Sequence, residues 1–245
     1  MFKPSERYKK IIEGLIRLGR KEFFQTIHKK LIVSCQALED EPLHGSELMA
    51  RMAVAAKEGG AVAIRSNSAN DVEAIKRATS LPVIGLVKRN YSDSEVFITA
   101  TAKEVKELLK VKPDVIAMDA TVRNRPNDEK LKDLVQLIHE HGDTLVMADI
   151  ATKEDAIYAV ECGVDMLSTT LSGYTADSPK QKGPDFELVE QLCREIPIPI
   201  IAEGRIQTPE QAKRMLNTGA WSVVVGSAIT RPQLITKSFT DYLYE

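Results

Sequence analysis

Short apolar runs rich in β-branched residues alternate along this chain with segments whose apolar residues recur every three or four positions. The runs predict eight strands, near Leu31–Cys35, Ala61–Arg65, Pro82–Val87, Asp114–Met118, Thr144–Ala148, Asp165–Ser168, Pro199–Ala202 and Ser222–Val225. The intervening segments predict amphipathic helices, among them Ser46–Glu58, Asp128–His141, Lys153–Glu161 and Pro209–Asn217. Eight strand-then-helix units are typical of a (β/α)8 TIM barrel, an α/β fold of about 250 residues.

An open doubly wound sheet shares this alternation, but it usually has five or six strands and a glycine fingerprint after the first. Here the first strand is followed by Gln36 and Ala37 instead. The chain of 245 residues contains no evident linker, so we expect one barrel domain over residues 31–245. Residues 1–30 predict a helical extension, with a helix over Tyr8–Ile27 packed under or beside the barrel.

Charge and cysteine content narrow the class of partner. Lys and Arg total 33 against 35 Asp and Glu, so the overall charge favours neither nucleic acid nor an anionic membrane, and a small metabolite is expected. The three cysteines, Cys35, Cys162 and Cys193, lack the spacing of a zinc site or a disulfide framework. The polar first ten residues and the absence of a long apolar run predict neither a secretory signal nor a membrane span. We therefore expect a cytoplasmic protein.

Polar residues follow or end six of the predicted strands: Gln36, Arg65, Lys88, Asp119, Asp149 and Glu203. The carboxyl ends of barrel strands surround one mouth, so these side chains could converge on one ligand. Arg65 or Asp119 could equally form an ion pair that closes the rim. Lys88 could be a surface lysine, or an amine whose pKa is lowered by the apolar run before it, as a general base or Schiff-base amine requires.

Glycine turns follow the last two predicted strands, at Gly204-Arg205 and at Gly226-Ser227. Backbone N–H groups approach a phosphate closely where no Cβ intervenes, so the two turns predict a phosphate site. The histidines form no metal-binding pattern, and we expect His139 and His141 to be solvated at a polar helix end.

Nine segments of the chain resemble one family. They are LIVSCQALEDEPLHG (31–45), GGAVAIRSNS (59–68), PVIGLVKRNY (82–91), FITATAKEV (97–105), IAMDATVRNRP (116–126), MADIATKEDA (147–156), STTLSGYT (168–175), IAEGRIQTPEQA (201–212) and GAWSVVVGSAITRP (219–232). The sequence is similar to the N-acylglucosamine-6-phosphate 2-epimerases, also called N-acetylmannosamine-6-phosphate 2-epimerases. The resemblance spans residues 31–232.

This resemblance implies a (β/α)8 barrel that interconverts N-acetylmannosamine 6-phosphate and N-acetylglucosamine 6-phosphate in bacterial sialic acid breakdown. It implies that Lys88 and Glu203 are catalytic. It further implies substrate contacts at Gln36, Arg65, Asp149 and Arg231, and phosphate contacts at Gly204, Arg205, Gly226 and Ser227.

Elementary chemistry agrees with that activity. Inversion at C2 requires removal of a carbon-bound proton, which becomes feasible once the ring opens and C1 is an aldehyde. Neither a redox cofactor nor a metal is then needed. Lys88 would move the C2 proton and Glu203 would transfer protons at the ring and C1 oxygens. A Schiff-base lyase that uses Lys88 covalently and a non-catalytic sugar-phosphate sensor remain alternatives, although phosphate binding alone needs neither Lys88 nor Glu203.

The segment after the last strand, Pro232–Tyr244, has an apolar set at helical spacing: Leu234, Ile235, Phe239, Tyr242 and Leu243. These residues could cover their own barrel. The family resemblance implies instead a homodimer that packs through this closing helix.

Overall fold

A closed barrel of eight parallel strands forms the centre of the protein, as expected from the alternating pattern. The computed structural model describes residues 18–244, with side chains from Lys21 onward. The strands are β1 Leu31–Cys35, β2 Ala63–Asn67, β3 Val83–Leu86, β4 Val115–Asp119, β5 Leu145–Asp149, β6 Met166–Ser168, β7 Ile200–Glu203 and β8 Ser222–Val225. Each strand pairs with its neighbour in sequence, and β1 pairs with β8 to close the barrel.

One helix precedes β1, and the helices that follow the strands, apart from the last one of the chain, surround the barrel. The helices are α1 Leu18–Ile27, α2 Ser46–Glu58, α3 Ala69–Thr79, α4 Ala102–Val111, α5 Leu131–Glu140, α6 Lys153–Glu161, α7 Phe186–Glu195, α8 Pro209–Thr218, α9 Ser227–Thr230 and α10 Pro232–Leu243. Capping fixes several of their first turns: Thr101 and Thr152 each form a capping box with an acidic residue three positions later. In the part of the chain that the structure describes, no helix combines the length and apolarity needed to cross a membrane.

Two predicted elements begin two or more residues later in the structure than the sequence pattern predicts. Strand β2 begins at Ala63 instead of Ala61, because the Ala61 N–H completes the end of α2 by donating to the Ala56 carbonyl at 2.9 Å. Helix α5 begins at Leu131 instead of Asp128, because residues 126–128 form a 3-10 turn in which Asn127 has a left-handed φ of 57°. The first shift moves Arg65 from the expected end of β2 to its middle.

The end of the barrel where the strands begin is sealed by α1. Phe23, Phe24 and Ile27 are buried and join the apolar cluster that fills the barrel interior. Trp221, which precedes β8, contacts the Phe24 ring edge-on at 6.2 Å and donates its indole N–H to the Phe24 carbonyl at 2.9 Å. Helix α1 thus packs under the barrel. Residues 8–17 of the predicted Tyr8–Ile27 helix lie outside the described residues.

Helix α10, at the other end of the chain, buries none of its residues. Its aromatic side chains are largely exposed, Phe239 by 66% and Tyr242 by 82%. Its apolar face therefore does not cover the barrel of its own chain.

Candidate active site

A cavity of about 440 Å³ opens at the end of the barrel where the strands finish. Of the residues that the family resemblance assigns to the site, all but Asp149 line it: Gln36, Arg65, Lys88, Glu203, Gly204, Arg205, Gly226, Ser227 and Arg231. Asp149 lies directly beneath, because its carboxylate pairs with Arg65. The strand ends thus bring together residues that are far apart in sequence.

Arg65 is the centre of a buried ion cluster. Its guanidinium makes two hydrogen bonds to Asp149, from Nη1 to Oδ1 at 3.0 Å and from Nη2 to Oδ2 at 2.6 Å. Nη1 also lies 3.2 Å from Oε2 of Glu203. Arg65 and Asp149 are almost fully buried, so each charge depends on the other for compensation. Arg65 thus forms ion pairs, as one of the alternatives for it held, but it does so from the middle of β2 with residues of β5 and β7.

The carboxyl group of Glu203 also contacts two hydroxyl groups. Ser168 Oγ lies 3.2 Å from its Oε2, and Thr170 Oγ1 lies 3.0 Å from the same oxygen and 2.8 Å from Oδ1 of Asp149. A threonine hydroxyl has one proton and cannot donate to both carboxylates. Thr170 therefore donates to one of the two carboxyl groups at a time and links Asp149 to Glu203. Burial raises the pKa of Glu203. The positive charge of Arg65 lowers this pKa in part, and the negative charge of Asp149 raises it further.

Lys88 stands two residues beyond β3 with its amine in the cavity. The side-chain oxygen of Asn67 accepts a hydrogen bond of 2.8 Å from the Lys88 backbone N–H, which holds the residue at the end of β2. Burial lowers the pKa of Lys88 to about 8, with help from the positive charges of Arg65 and Arg231 and against the opposing effect of Glu203 and Asp149. An appreciable fraction of the amine is then neutral and basic near neutral pH.

The two glycine turns lie on the β7 and β8 side of the cavity. Gly204 has a φ of +108°, a conformation that strains any residue with a Cβ. The following residue, Arg205, turns its side chain away toward the β6–α7 loop: it donates to the carbonyl oxygens of Gly183 and Ser172 and lies 5.1 Å from the Tyr174 ring centre. The Arg205 guanidinium is therefore held by this loop.

Two buried polar atoms of the cavity have no protein hydrogen-bond partner. Among the described residues, the buried side-chain nitrogen and oxygen atoms without a partner are Oε1 of Gln36 and Nε of Arg65. Buried polar atoms are nearly always paired in native proteins, so an unpaired acceptor and donor in one cavity indicate a polar ligand. Arg231, at the same mouth, pairs with Glu41 at 2.8 Å.

Two other sequence predictions differ from the structure. Asp119 does not line the cavity, because it bonds to Thr121 and forms an ion pair of 2.7 Å with Arg123. His139 is not merely solvated, since its Nε2 lies 2.9 Å from Oδ2 of Asp165, whereas His141 is exposed. Among residues 18–244, no cluster of His, Cys, Asp and Glu side chains could hold a metal ion.

Sequence reasoning missed Ser168, Thr170 and Asn67. Each is a small polar residue in or just after a strand, and the same residue types are common in ordinary loops. Their position in or just after a strand was the one feature of the sequence that could have identified them. Many residues that do not reach the cavity share that position.

With this geometry established, the chain can be set beside known proteins. The family model described as "Putative N-acetylmannosamine-6-phosphate epimerase" matches residues 49–245. A Clostridium perfringens protein named "Putative N-acetylmannosamine-6-phosphate 2-epimerase" is 60% identical over 213 residues, which are 87% of this chain and 96% of that protein. A protein of the same name from Clostridioides difficile is 57% identical over 210 residues, covering 86% of this chain and 94% of the relative.

Solved structures give the same picture. The structure of the N-acetylmannosamine-6-phosphate 2-epimerase from Clostridium perfringens superposes with a TM-score of 0.88 at 57% identity and covers 90% of this chain and 96% of that chain. A thiamine phosphate pyrophosphorylase from Pyrococcus furiosus, 19% identical with a TM-score of 0.59, shares the fold alone. On the family match and these identities, the chain belongs to the N-acetylmannosamine-6-phosphate epimerase family.

Proposed function

We propose that this protein is a carbohydrate epimerase that interconverts N-acetyl-D-mannosamine 6-phosphate and N-acetyl-D-glucosamine 6-phosphate, as a step of sialic acid and amino-sugar catabolism. Family membership supports the reaction. The observation that carries it is the composition of one cavity, in which a half-buried lysine with a pKa lowered to about 8 stands with a glutamate whose pKa is raised. A base and an acid of this kind are what proton transfer at carbon requires.

The reaction starts from the open-chain sugar, whose C1 aldehyde makes the C2 proton acidic. The neutral amine of Lys88 takes that proton, and the protonated carboxyl of Glu203 donates to the oxygen at C1, so that a planar enol forms. Arg65 places a positive charge beside the developing negative charge on that oxygen. Lys88 then returns a proton to the opposite face of C2, directly or through a partner group, while Glu203 takes back the proton from the C1 hydroxyl, which restores the aldehyde with C2 inverted. The aldehyde accepts the charge of the C2 carbanion, so the chemistry calls for neither a redox cofactor nor a metal.

The phosphate is bound by the turns after β7 and β8, through the backbone at Gly204-Arg205 and Gly226-Ser227. Gln36 and Arg231 hold other polar groups of the sugar, and Asp149 fixes the direction of Arg65. Phosphate binding holds C2 in place although the phosphate does not take part in the reaction. Unphosphorylated N-acetylmannosamine should therefore be a poor substrate, and equal kcat/KM for the two sugars would exclude this role of the turns.

Incubation of the protein with N-acetylmannosamine 6-phosphate in D₂O, followed by NMR of the C2 proton, tests the proposal. We expect exchange of that proton together with formation of the gluco epimer. Exchange of the C2 proton without formation of the gluco epimer would exclude the epimerase, and so would the absence of both. The buried amine of Lys88 also suits a Schiff-base lyase, and in that case borohydride would trap a covalent adduct in the presence of substrate.

We further propose a homodimer that packs through α10. This helix exposes Phe239, Tyr242 and Leu243 in the single chain, by 66%, 82% and 70%. A groove of about 460 Å³ lies nearby between α8 and β8, lined by apolar side chains that include Ala212, Leu216 and Val223. The α10 helix of a second copy has the apolar residues to cover such a surface.

Sedimentation at micromolar concentration tests the dimer. The unmodified protein should sediment as a dimer, and Phe239→Asp should shift it toward a monomer and raise KM, because Arg231 immediately precedes α10. A monomeric unmodified protein would exclude the dimer, and an unchanged KM in a monomeric variant would exclude the link to the site.

We also place the protein in the cytoplasm, since charged sugar phosphates do not cross membranes, and cell fractionation would check this.

A further inference from the structure

Phe97 and Ile98 lie directly beside Lys88. Lys88 forms an antiparallel bridge with Ile98. On either side of this bridge, the Arg89 N–H donates to the Phe97 carbonyl at 2.9 Å, and the Thr99 N–H donates to the Val87 carbonyl at 2.7 Å. The loop after β3 therefore folds back on itself and brings two apolar side chains to the wall of the cavity next to the amine.

The residue that follows this pair has a strained backbone. Thr99 has a φ of +45°, in the left-handed region that β-branched residues avoid. Its hydroxyl holds it there by donating to the Ala117 carbonyl at 2.7 Å and accepting from the Val87 N–H at 3.2 Å. Strain of this kind persists where the surrounding structure enforces it, and it clusters at functional sites. The position of Phe97 and Ile98 is thus fixed by a conformation that is costly to build.

The proposed function, on which the next step rests, gives the substrate a direction. The phosphate site follows β7 and β8, whereas Lys88 follows β3, on the other side of the closed barrel. With the phosphate on the glycine turns and C2 at Lys88, the acetamido group on C2 projects past the lysine to the β3 side. Its methyl group is apolar and is bound best against apolar surface.

Phe97 offers that surface. Ile98 and Leu171 also line the cavity, but they are only 2% and 3% exposed, whereas Phe97 is half-buried. The Phe97 side chain packs against the barrel interior and leaves part of its surface to the cavity. Ile206 and Val224 also line the cavity, just after β7 and in β8, on the side of the proposed phosphate site. The Tyr174 ring lies there too, stacked against the Arg205 guanidinium at 5.1 Å.

We propose that Phe97, backed by Ile98, forms the surface on which the N-acyl group of the substrate packs, and that Phe97 sets the size of the acyl chain that the enzyme accepts. Phe97 is a specificity-determining residue in this arrangement and takes no part in proton transfer. Shortening its side chain opens space that an acetyl group leaves empty and a longer acyl group fills.

The test compares kcat/KM for the 6-phosphates of N-acetyl- and N-propanoylmannosamine in the unmodified protein, Phe97→Ala, Phe97→Leu and Ile206→Ala. Phe97→Ala should lower kcat/KM for the acetyl sugar about tenfold and raise the propanoyl-to-acetyl ratio about tenfold, the usual scale for one methylene in an apolar pocket. Phe97→Leu should move the ratio the same way by less. Ile206→Ala, on the phosphate side, should leave the ratio unchanged whatever it does to KM.

The ratio compares two substrates in one preparation, so partial unfolding of a variant does not affect it, and Phe97→Leu serves if the alanine variant fails to fold. If the unmodified protein epimerises the acetyl sugar and both Phe97 variants keep its ratio within about twofold, the acyl surface is excluded while the epimerase stands. A ratio shifted equally by Ile206→Ala would also exclude it. An unmodified protein that does not exchange the C2 proton would remove the proposed function, and this inference with it.

Discussion

The two ends of the barrel bury opposite kinds of residue. The end where the strands finish encloses the ion cluster of Arg65, Asp149 and Glu203, together with the amine of Lys88. The end where they begin buries Phe23, Phe24 and Ile27 of α1. Burying charge is costly even when it is paired, whereas burying aromatic surface is favourable. The comparison indicates that the first end is arranged for chemistry and that the second supplies stability.

The largest effect is expected at the first end, from Lys88→Ala. Removal of a positioned general base should lower kcat by about 10³- to 10⁴-fold while substrate still binds. Stability should not fall, because the variant no longer buries an ionisable amine. Lys106→Ala, which removes an exposed lysine from α4, is the control and should keep full activity. Steady-state kinetics and urea unfolding of both variants measure this, and near-normal turnover in Lys88→Ala would refute the mechanism.

The opposite pattern is expected from Phe24→Ala at the sealed end. Loss of a buried phenyl ring should lower the free energy of unfolding by about 3–5 kcal/mol. The hydrogen bond from Trp221 to the Phe24 backbone carbonyl can persist, so the change isolates the ring. At 25 °C kcat of the folded fraction should be unchanged.

Gln25→Ala, an exposed position of the same helix, is the matched control for α1 and should leave both quantities unaltered. Reduced kcat in a Phe24→Ala preparation that is fully folded would mean that the two ends are coupled, contrary to the division of roles.

A smaller loss is expected from Glu203→Gln, which keeps the shape of the side chain and removes its acid. We expect kcat to fall by about 10²- to 10³-fold, because the C1 oxygen loses its proton donor. Glu95→Gln is the matched control, since Glu95 is an exposed acid on the rim that pairs with Arg123. Full activity of Glu203→Gln at every pH would make Glu203 a structural residue.

The division between the two ends was only partly predictable from sequence. Periodicity was enough for the barrel, because alternating strands and helices leave few other folds of this length. Strand-end position selected Lys88 and Glu203, but it selected Asp119 equally. The sequence pattern cannot tell Asp119 from the two site residues. Asp119 forms an ion pair with Arg123 of the β4–α5 loop, and this contact depends on how that loop folds.

Other features depend on tertiary contacts that no local pattern records. Thr170 approaches Asp149 and Glu203 across 21 and 33 residues of sequence. Arg65 was expected at a strand end, and a shift of two residues places it mid-strand with its side chain inside the barrel. The strained φ of Thr99 has no sequence signal, because threonine is a poor choice for that conformation and is held there by its hydroxyl contacts.

The smallest effect, and the sharpest test of the electrostatics at the first end, concerns the pH dependence of kcat/KM. Lys88 must be neutral to act as a base, so the rate should fall as the pH drops below about 8, the pKa to which burial and two nearby arginines lower it. Loss of the proton that Glu203 donates should in turn lower the rate at high pH. Arg231 is one of those arginines. Arg231→Gln removes a positive charge that favours the neutral amine, so the pKa of Lys88 should rise and the acidic limb should move to higher pH, by roughly half a unit. Glu41→Gln should move it to lower pH, because Arg231 then loses the partner at 2.8 Å that offsets its charge. Profiles for both variants against the unmodified protein measure the two shifts, and a limb that moves with neither variant would mean that another group than Lys88 titrates.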